Sequence, residues 1–292
     1  YFAWANRLVT YYLKTSRTNI ALYEVQNMLK EAQKEDDKTG LSRCYNIMSQ
    51  IYTIKRFDSM AFEWRLKEIE LTEKYNIENY NISQTYAQIA NYYISQKKQK
   101  EALRAVEKAI STANSSTQQI SAKLEYVNYY SKFGDFQAAE KILKECQIAF
   151  EQDKRLESIK KRLYNIECLY YQQTRQYQKA LEAAEMQEKE EHRLSESILS
   201  SSHYRTQGEI YQKMGNMNMA VKYLQMYINT DDSLKIANEQ VASSEFATLL
   251  NVEKLNAEKK ELMLQAQEKE LHNKTTLIIS LICLLYTSPS PR

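Results

Sequence analysis

The chain has 292 residues, 40 basic and 37 acidic, for a net charge of +3. Charges of both signs, interspersed along the chain, describe solvated helix faces and exclude the basic footprint of a nucleic-acid binder. It holds four glycines and two prolines, and Pro289 and Pro291 sit within the last four residues. Nothing earlier interrupts a helix, and with good helix formers abundant the expected fold class is all-α.

In chain order, a tyrosine is followed nine residues later by an alanine at Tyr12/Ala21, Tyr52/Ala61, Tyr93/Ala102, Tyr130/Ala139, Tyr171/Ala180 and Tyr211/Ala220. Successive alanines lie 40, 41, 37, 41 and 40 residues apart. With 23 tyrosines in 292 residues, six such coincidences are not credible. A fixed period of this size marks stacked supersecondary units, none of which can bury its apolar face alone.

The first unit carries Leu8, Val9, Tyr12, Ala21 and Val25, and the second Tyr45, Met48, Ser49, Tyr52 and Ala61, with Arg65 where its second helix should be apolar. The third reads Tyr86, Ile89, Ala90, Tyr93, Ala102, Val106 and Ala109. The fourth keeps Tyr126, Val127, Tyr130, Gly134, Ala139 and Leu143, with Lys123 in the place of the first aromatic. The fifth has Tyr164, Cys168, Tyr171, Ala180 and Ala184. In the sixth, Tyr204, Gln207, Gly208 and Tyr211 share one helical face, and Ala220, Leu224 and Tyr227 share a second beyond a turn at Met214, Gly215 and Asn216. Small Gly208 and Ala220 would let two antiparallel helices approach closely. The order aromatic, large apolar, small, Tyr, then Ala and a large apolar residue resembles the tetratricopeptide repeat (TPR). The resemblance implies about six helix pairs in an α-solenoid over 1–234, with repeats near 2–41, 42–82, 83–119, 120–160, 161–200 and 201–234. The period of about 40, against 34 in the family, implies a longer second helix and turn, in polar stretches such as 114–119 and 187–193. The Tyr/Ala stripe reads as core, so truncating Tyr211 should cost about 3 kcal/mol or more.

Gly40 is expected to close a polar turn (36–39), and Gly134 and Gly215 to end helices in the left-handed conformation. Cys44, Cys146, Cys168 and Cys283 lack metal spacing and read as buried thiols, with a Cys146–Cys168 disulfide left open.

In such a solenoid the first helix of each pair lines the concave surface. Off their packing faces these helices carry Asn6, Arg43, Asn46, Gln50, Asn91, Asn128, Arg162, Asn165, Arg205 and Glu209, the candidate partner-binding residues. A side-chain amide offers an acceptor and two donors, suited to an extended peptide backbone. The lysine clamp with which chaperone-binding relatives hold a terminal carboxylate has no match here.

From 235 to 274 the pattern stops. Leu250, Ala257, Leu264 and Leu271 recur every seven residues, with Leu255 and Leu262 as a partial second seam. A long helix, forming a homodimeric coiled coil, is expected; a single helix capping the last repeat is the alternative. The apolar run 275–285 reads as the first half of a transmembrane helix, or else as a short capping segment. The 286–292 tail, with its two prolines, resembles translated adapter sequence, and with Tyr1 at the start both ends are expected to be incomplete.

Array, stalk and apolar run together resemble the extracytoplasmic half of bacterial membrane-anchored TPR regulators, whose output is a histidine kinase or a helix-turn-helix domain. The resemblance implies a non-catalytic, peptide- or protein-binding sensory module in the periplasm; a cytosolic TPR scaffold or peptide sensor is the alternative. No cofactor, metal or nucleic acid is expected. His192, His203 and His272 are scattered, no phosphate-cradling glycine loop exists, and Glu188, Glu190 and Glu191 form a charge run on an exposed face.

Overall fold

A computed structural model describes residues 2–194 and 201–287. Among the described residues there are twelve α-helices, one short 3-10 helix and no strand. The helices are α1 (Phe2–Lys14), α2 (Thr18–Lys34), α3 (Lys38–Ile54), α4 (Asp58–Tyr75), α5 (Ile82–Ser95) and α6 (Gln99–Ser111). They continue with α7 (Ser116–Phe133), α8 (Phe136–Gln152), α9 (Lys160–Gln173), α10 (Tyr177–Leu194), α11 (Ser202–Lys213) and α12 (Met217–Thr287). They form consecutive helix pairs, and each pair packs on the next, so the all-α solenoid is observed. The chain divides into two compact units, Tyr1–Asn238 and Glu239–Arg292.

The nine-residue Tyr-to-Ala spacing has a main-chain cause. In every pair the tyrosine carbonyl accepts from the N–H five residues on: Arg17, Phe57, Lys98, Asp135, Gln176 and Asn216, at 2.8–3.0 Å. The carbonyl of that same residue then accepts from the alanine N–H, at 2.9–3.1 Å. The first bond closes helix one in a Schellman-type turn; the second opens helix two. Such a turn needs a left-handed residue just before the relay residue. Ser16, Arg56, Lys97, Gly134, Arg175 and Gly215 occupy that position, with φ of 59°, 61°, 57°, 91°, 59° and 78°. Gly134 and Gly215 thus end their helices as expected. Four positions hold residues that carry a Cβ there at a cost glycine avoids.

Behind the turns lies the core. Ala21, Ala61, Ala102, Ala139 and Ala180 are fully buried and Ala220 nearly so. The tyrosines are half-buried beside them: Tyr12 and Tyr52 flank the first cluster, Tyr93 and Tyr130 the second, and Tyr171 and Tyr211 the last. Gly208 does permit a close crossing: a Cβ there would lie 2.9 Å from Leu224 Cγ and 3.4 Å from the Ala220 carbonyl oxygen.

Three expectations need correction. Gly40 lies within the first turn of α3, where its N–H donates to the Asp37 side chain at 2.9 Å, so Asp37 is a helix cap and Gly40 closes no turn. The separate long helix expected from 235 instead begins at Met217, as the second helix of the sixth pair, and runs through as one 71-residue helix. No glycine or proline falls between Asn216 and Ser288 to stop it. The stretch 187–193 is part of α10, whereas 114–119 straddles the start of α7; a 3-10 helix (Lys154–Ile159) takes up further residues before α9. The reading of the cysteines as buried thiols holds for Cys44, Cys146 and Cys168, and the disulfide left open is absent, with Cys146 and Cys168 in separate core clusters. The Cys283 side chain and residues 288–292 of the expected tail lie outside what is described. No helix among the described residues is long and apolar enough to cross a membrane.

Candidate functional site: a polar groove on the first helices

Helices α1, α3, α4 and α5, with the segment between α4 and α5, enclose two cavities that share Asn46, Gln50 and Asn81 in their walls. One, of about 490 Å³, is completed by Thr53, Ile54, Arg65, Gln84, Thr85 and Gln88. The other, of about 390 Å³, includes Asn6, Arg43, Glu68, Asn79 and Tyr80. Four of the sequence-predicted residues, Asn6, Arg43, Asn46 and Gln50, are therefore brought together here. Asn6, Arg43 and Gln50 are exposed to the cavities, and the Gln50 amide donates to Asn46 Oδ1 at 2.6 Å.

Below them sits a buried carboxylate that sequence reasoning missed. Glu68 on α4 is 1% exposed. Asn46 Nδ2 donates to both of its oxygens at 3.1 Å, Asn79 Nδ2 to one at 2.8 Å, and Thr85 Oγ1 to the other at 3.4 Å. Burial pushes the Glu68 carboxyl above its ordinary range, and the Asn46, Asn79 and Thr85 bonds and the nearby positive Arg65 offset this only in part. Arg65, one turn earlier, donates through Nε to Gln88 Oε1 at 2.8 Å and through Nη2 to Thr53 Oγ1 at 2.6 Å. Burial holds its guanidinium below the ordinary arginine value, against the pull of Glu68 and Asp58. Arg65 was marked in the sequence as a charge in a slot that the other repeats give to an apolar residue; Glu68, among the other polar residues of α4, carried no such mark.

Farther along, Asn128 Nδ2 donates to Asn91 Oδ1 at 2.6 Å, tying α7 to α5. Arg162 on α9 pairs with Glu125, which is 1% exposed, so a polar chain links three successive first helices. Asn165 is exposed on α9 and apart from this chain. Arg205 and Glu209 are engaged with each other across one turn of α11 at 2.8 Å. Among the described residues no cluster of His, Cys, Asp and Glu could hold a metal. What the arrangement offers is hydrogen bonding: a row of side-chain amides on rigid helices, backed by two buried carboxylates.

No protein-family model and no curated protein sequence matches the chain. Solved structures do. The apo form of RapI superposes with a TM-score of 0.62 at 15% identity, covering 80% of this chain and 84% of that one. NprR in complex with its cognate peptide NprX gives 0.59 at 13% identity, over 83% and 68%. A tetratricopeptide repeat protein from Parabacteroides merdae gives 0.55 at 15% identity, over 84% of each chain. The fold is thus that of the TPR-like repeat proteins. A Rap protein complexed with Competence and Sporulation Factor is a further match, with TM-score 0.57 at 14% identity over 80% and 75%.

Proposed function

We propose that the first-helix face is a groove for an extended peptide or protein segment, and that the chain is a non-catalytic interaction and sensory module. The observation that carries this is the row of amide side chains, Asn46, Gln50, Asn81, Gln84 and Gln88, around connected cavities, continued by the Asn91–Asn128 pair. Amides on rigid helices can satisfy a main chain that brings its own donors and acceptors, without demanding one sequence. That NprR was captured with its cognate peptide on this fold supports the reading. The test is panning a random dodecapeptide library on the full chain and on a Gln50→Ala/Asn91→Ala/Asn128→Ala variant of unchanged helicity. Lower recovery by the variant is expected; equal recovery sinks the groove.

The module belongs, in this proposal, to a membrane-anchored bacterial signalling protein, with the array in the periplasm and the 275–285 run as attachment. A cytosolic scaffold is the alternative, and an intact gene that encodes no N-terminal signal and no full span after Thr276 would favour it. The exposed seam of α12, with Leu250, Leu255, Leu262, Leu264 and Leu271 each more than half exposed, supports a homodimer through this helix. Sedimentation of the wild type and of Leu250→Ser/Leu264→Ser/Leu271→Ser tests it: a monomeric wild type removes the dimer.

A further inference from the structure

Arg65 occupies the slot four residues after Ala61, where the other pairs place Val25, Val106, Leu143, Ala184 and Leu224. An apolar slot of the solenoid has thus been given to a cation that is 8% exposed. Both of its side-chain acceptors, Thr53 and Gln88, are neutral. Glu68, one turn away, spends its oxygens on Asn46, Asn79 and Thr85, and among the described residues no carboxylate pairs directly with Arg65. A guanidinium has five N–H donors in a planar fork, so two bonds leave donors to spare. Arg65 forms part of the wall of the 490 Å³ cavity, and every other residue of that wall is uncharged. A buried cation with neutral partners is an expensive arrangement unless something anionic arrives to complete it.

We infer that this cavity is a carboxylate subsite: an extended peptide lying in the groove seats an acidic group on the free donors of Arg65. The side-chain amides of Gln50, Asn81 and Gln84 hold the neighbouring backbone. The inference rests on the peptide-groove reading and adds a chemical selectivity to it. It differs from a lysine clamp on the first helices, because one guanidinium reaches the groove from the second helix of its pair. The carboxylate has two sources, an Asp or Glu side chain or the peptide's own C-terminus.

The test uses two N-acetylated octapeptide libraries, one with free C-terminal acids and one with C-terminal amides. Each is passed over the immobilised full chain, and retained peptides are sequenced. Wild type should enrich an acidic residue at a fixed position in the amide library if the side chain is recognised. If the terminus is recognised, it should retain acids over amides. Charge-assisted fork bonds make a preference of roughly tenfold or more the expected size. Arg65→Met should lose the preference while still retaining peptides. Gln50→Glu, at an exposed wall position, should lose it too by supplying the carboxylate from within, at the cost of the Gln50–Asn46 bond. Retention without acidic preference overturns the subsite and leaves the groove standing; no retention by wild type overturns both. A preference that persists in both variants also overturns the subsite.

Discussion

Glu68 offers the sharpest test of how the groove floor is held together. Replacing it with alanine removes a carboxylate that accepts from Asn46, Asn79 and Thr85. Leaving a buried polar group without its partner costs about 1–3 kcal/mol for each group that is sealed from water. Here the partners are not sealed. Asn46 and Asn79 line the 390 Å³ cavity and regain water, and Thr85 Oγ1 already has a second acceptor in the Asn81 carbonyl at 3.3 Å. A loss of about 1–2 kcal/mol is therefore expected for Glu68→Ala, close to the cost of one or two unmade hydrogen bonds. Glu68→Gln adds the pH dependence. Because burial raises the folded-state value above the ordinary 4.5, the folded protein binds this proton more tightly than the unfolded chain does. The stabilisation is complete below 4.5 and is lost as pH rises through the folded value, so wild type should gain on Glu68→Gln as pH falls from 7 towards 4.5. Urea melts of both proteins at a series of pH values measure this difference directly. Parallel stability curves, or a wild-type advantage that grows with pH, would refute the burial argument.

The left-handed turn positions predict that Lys97→Gly raises stability by about 0.5–1 kcal/mol, since its φ of 57° suits glycine and its neighbours' main-chain bonds are unchanged; a drop in the melting temperature would count against the shared turn. Tyr211→Ala should cost about 2–3 kcal/mol, less than for a sealed core aromatic, because the ring is half-buried and stacked on Tyr223 at 5.3 Å between centroids. An unchanged midpoint in chemical denaturation would show the ring is not packed as described. Burial pushes the Cys44 and Cys146 thiols up to about 11, so neither should react with a thiol reagent at pH 8 until urea unfolds the chain. Prompt native labelling of either would contradict its placement.

The solenoid could be read from the sequence because its two marks report different constraints on one object. Ala102 and its counterparts are buried where the second helix begins, and Tyr93 and its counterparts pack half-buried at a fixed main-chain distance before them, so both recur with the unit itself. Asn46 and Gln50 were legible for a related reason, since helical spacing alone sets them off the packing face. Arg65 was visible as a break in the apolar pattern, but its meaning was not: Gln88 and Thr53 lie in other helices, and spacing does not say which way a long side chain reaches. Glu68 was hidden more fully, as a carboxylate among other polar residues of α4 whose partners come from α3, α5 and the segment between α4 and α5. The start of α12 is not legible, because the repeat pattern ends within a helix that continues. The end of a pattern and the end of a helix are separate physical events: one is the loss of a packing partner, the other needs a residue that breaks the ladder.

At the relay position five residues after each tyrosine the chain uses arginine, phenylalanine, lysine, aspartate, glutamine and asparagine, no two alike, yet all six make the same pair of main-chain bonds. Asp135 and Asn216 add a side-chain cap of their own, at 3.0 and 3.2 Å; the helices after Arg17, Phe57 and Lys98 begin without one. The turn itself therefore asks only for a main-chain N–H and carbonyl at this position. Fluorophores, affinity handles or grafted recognition loops attached at Arg17, where no side-chain cap is lost, would report on or recruit to the scaffold without breaking the turn, whereas at Asp135 and Asn216 they would cost a cap of about 1 kcal/mol.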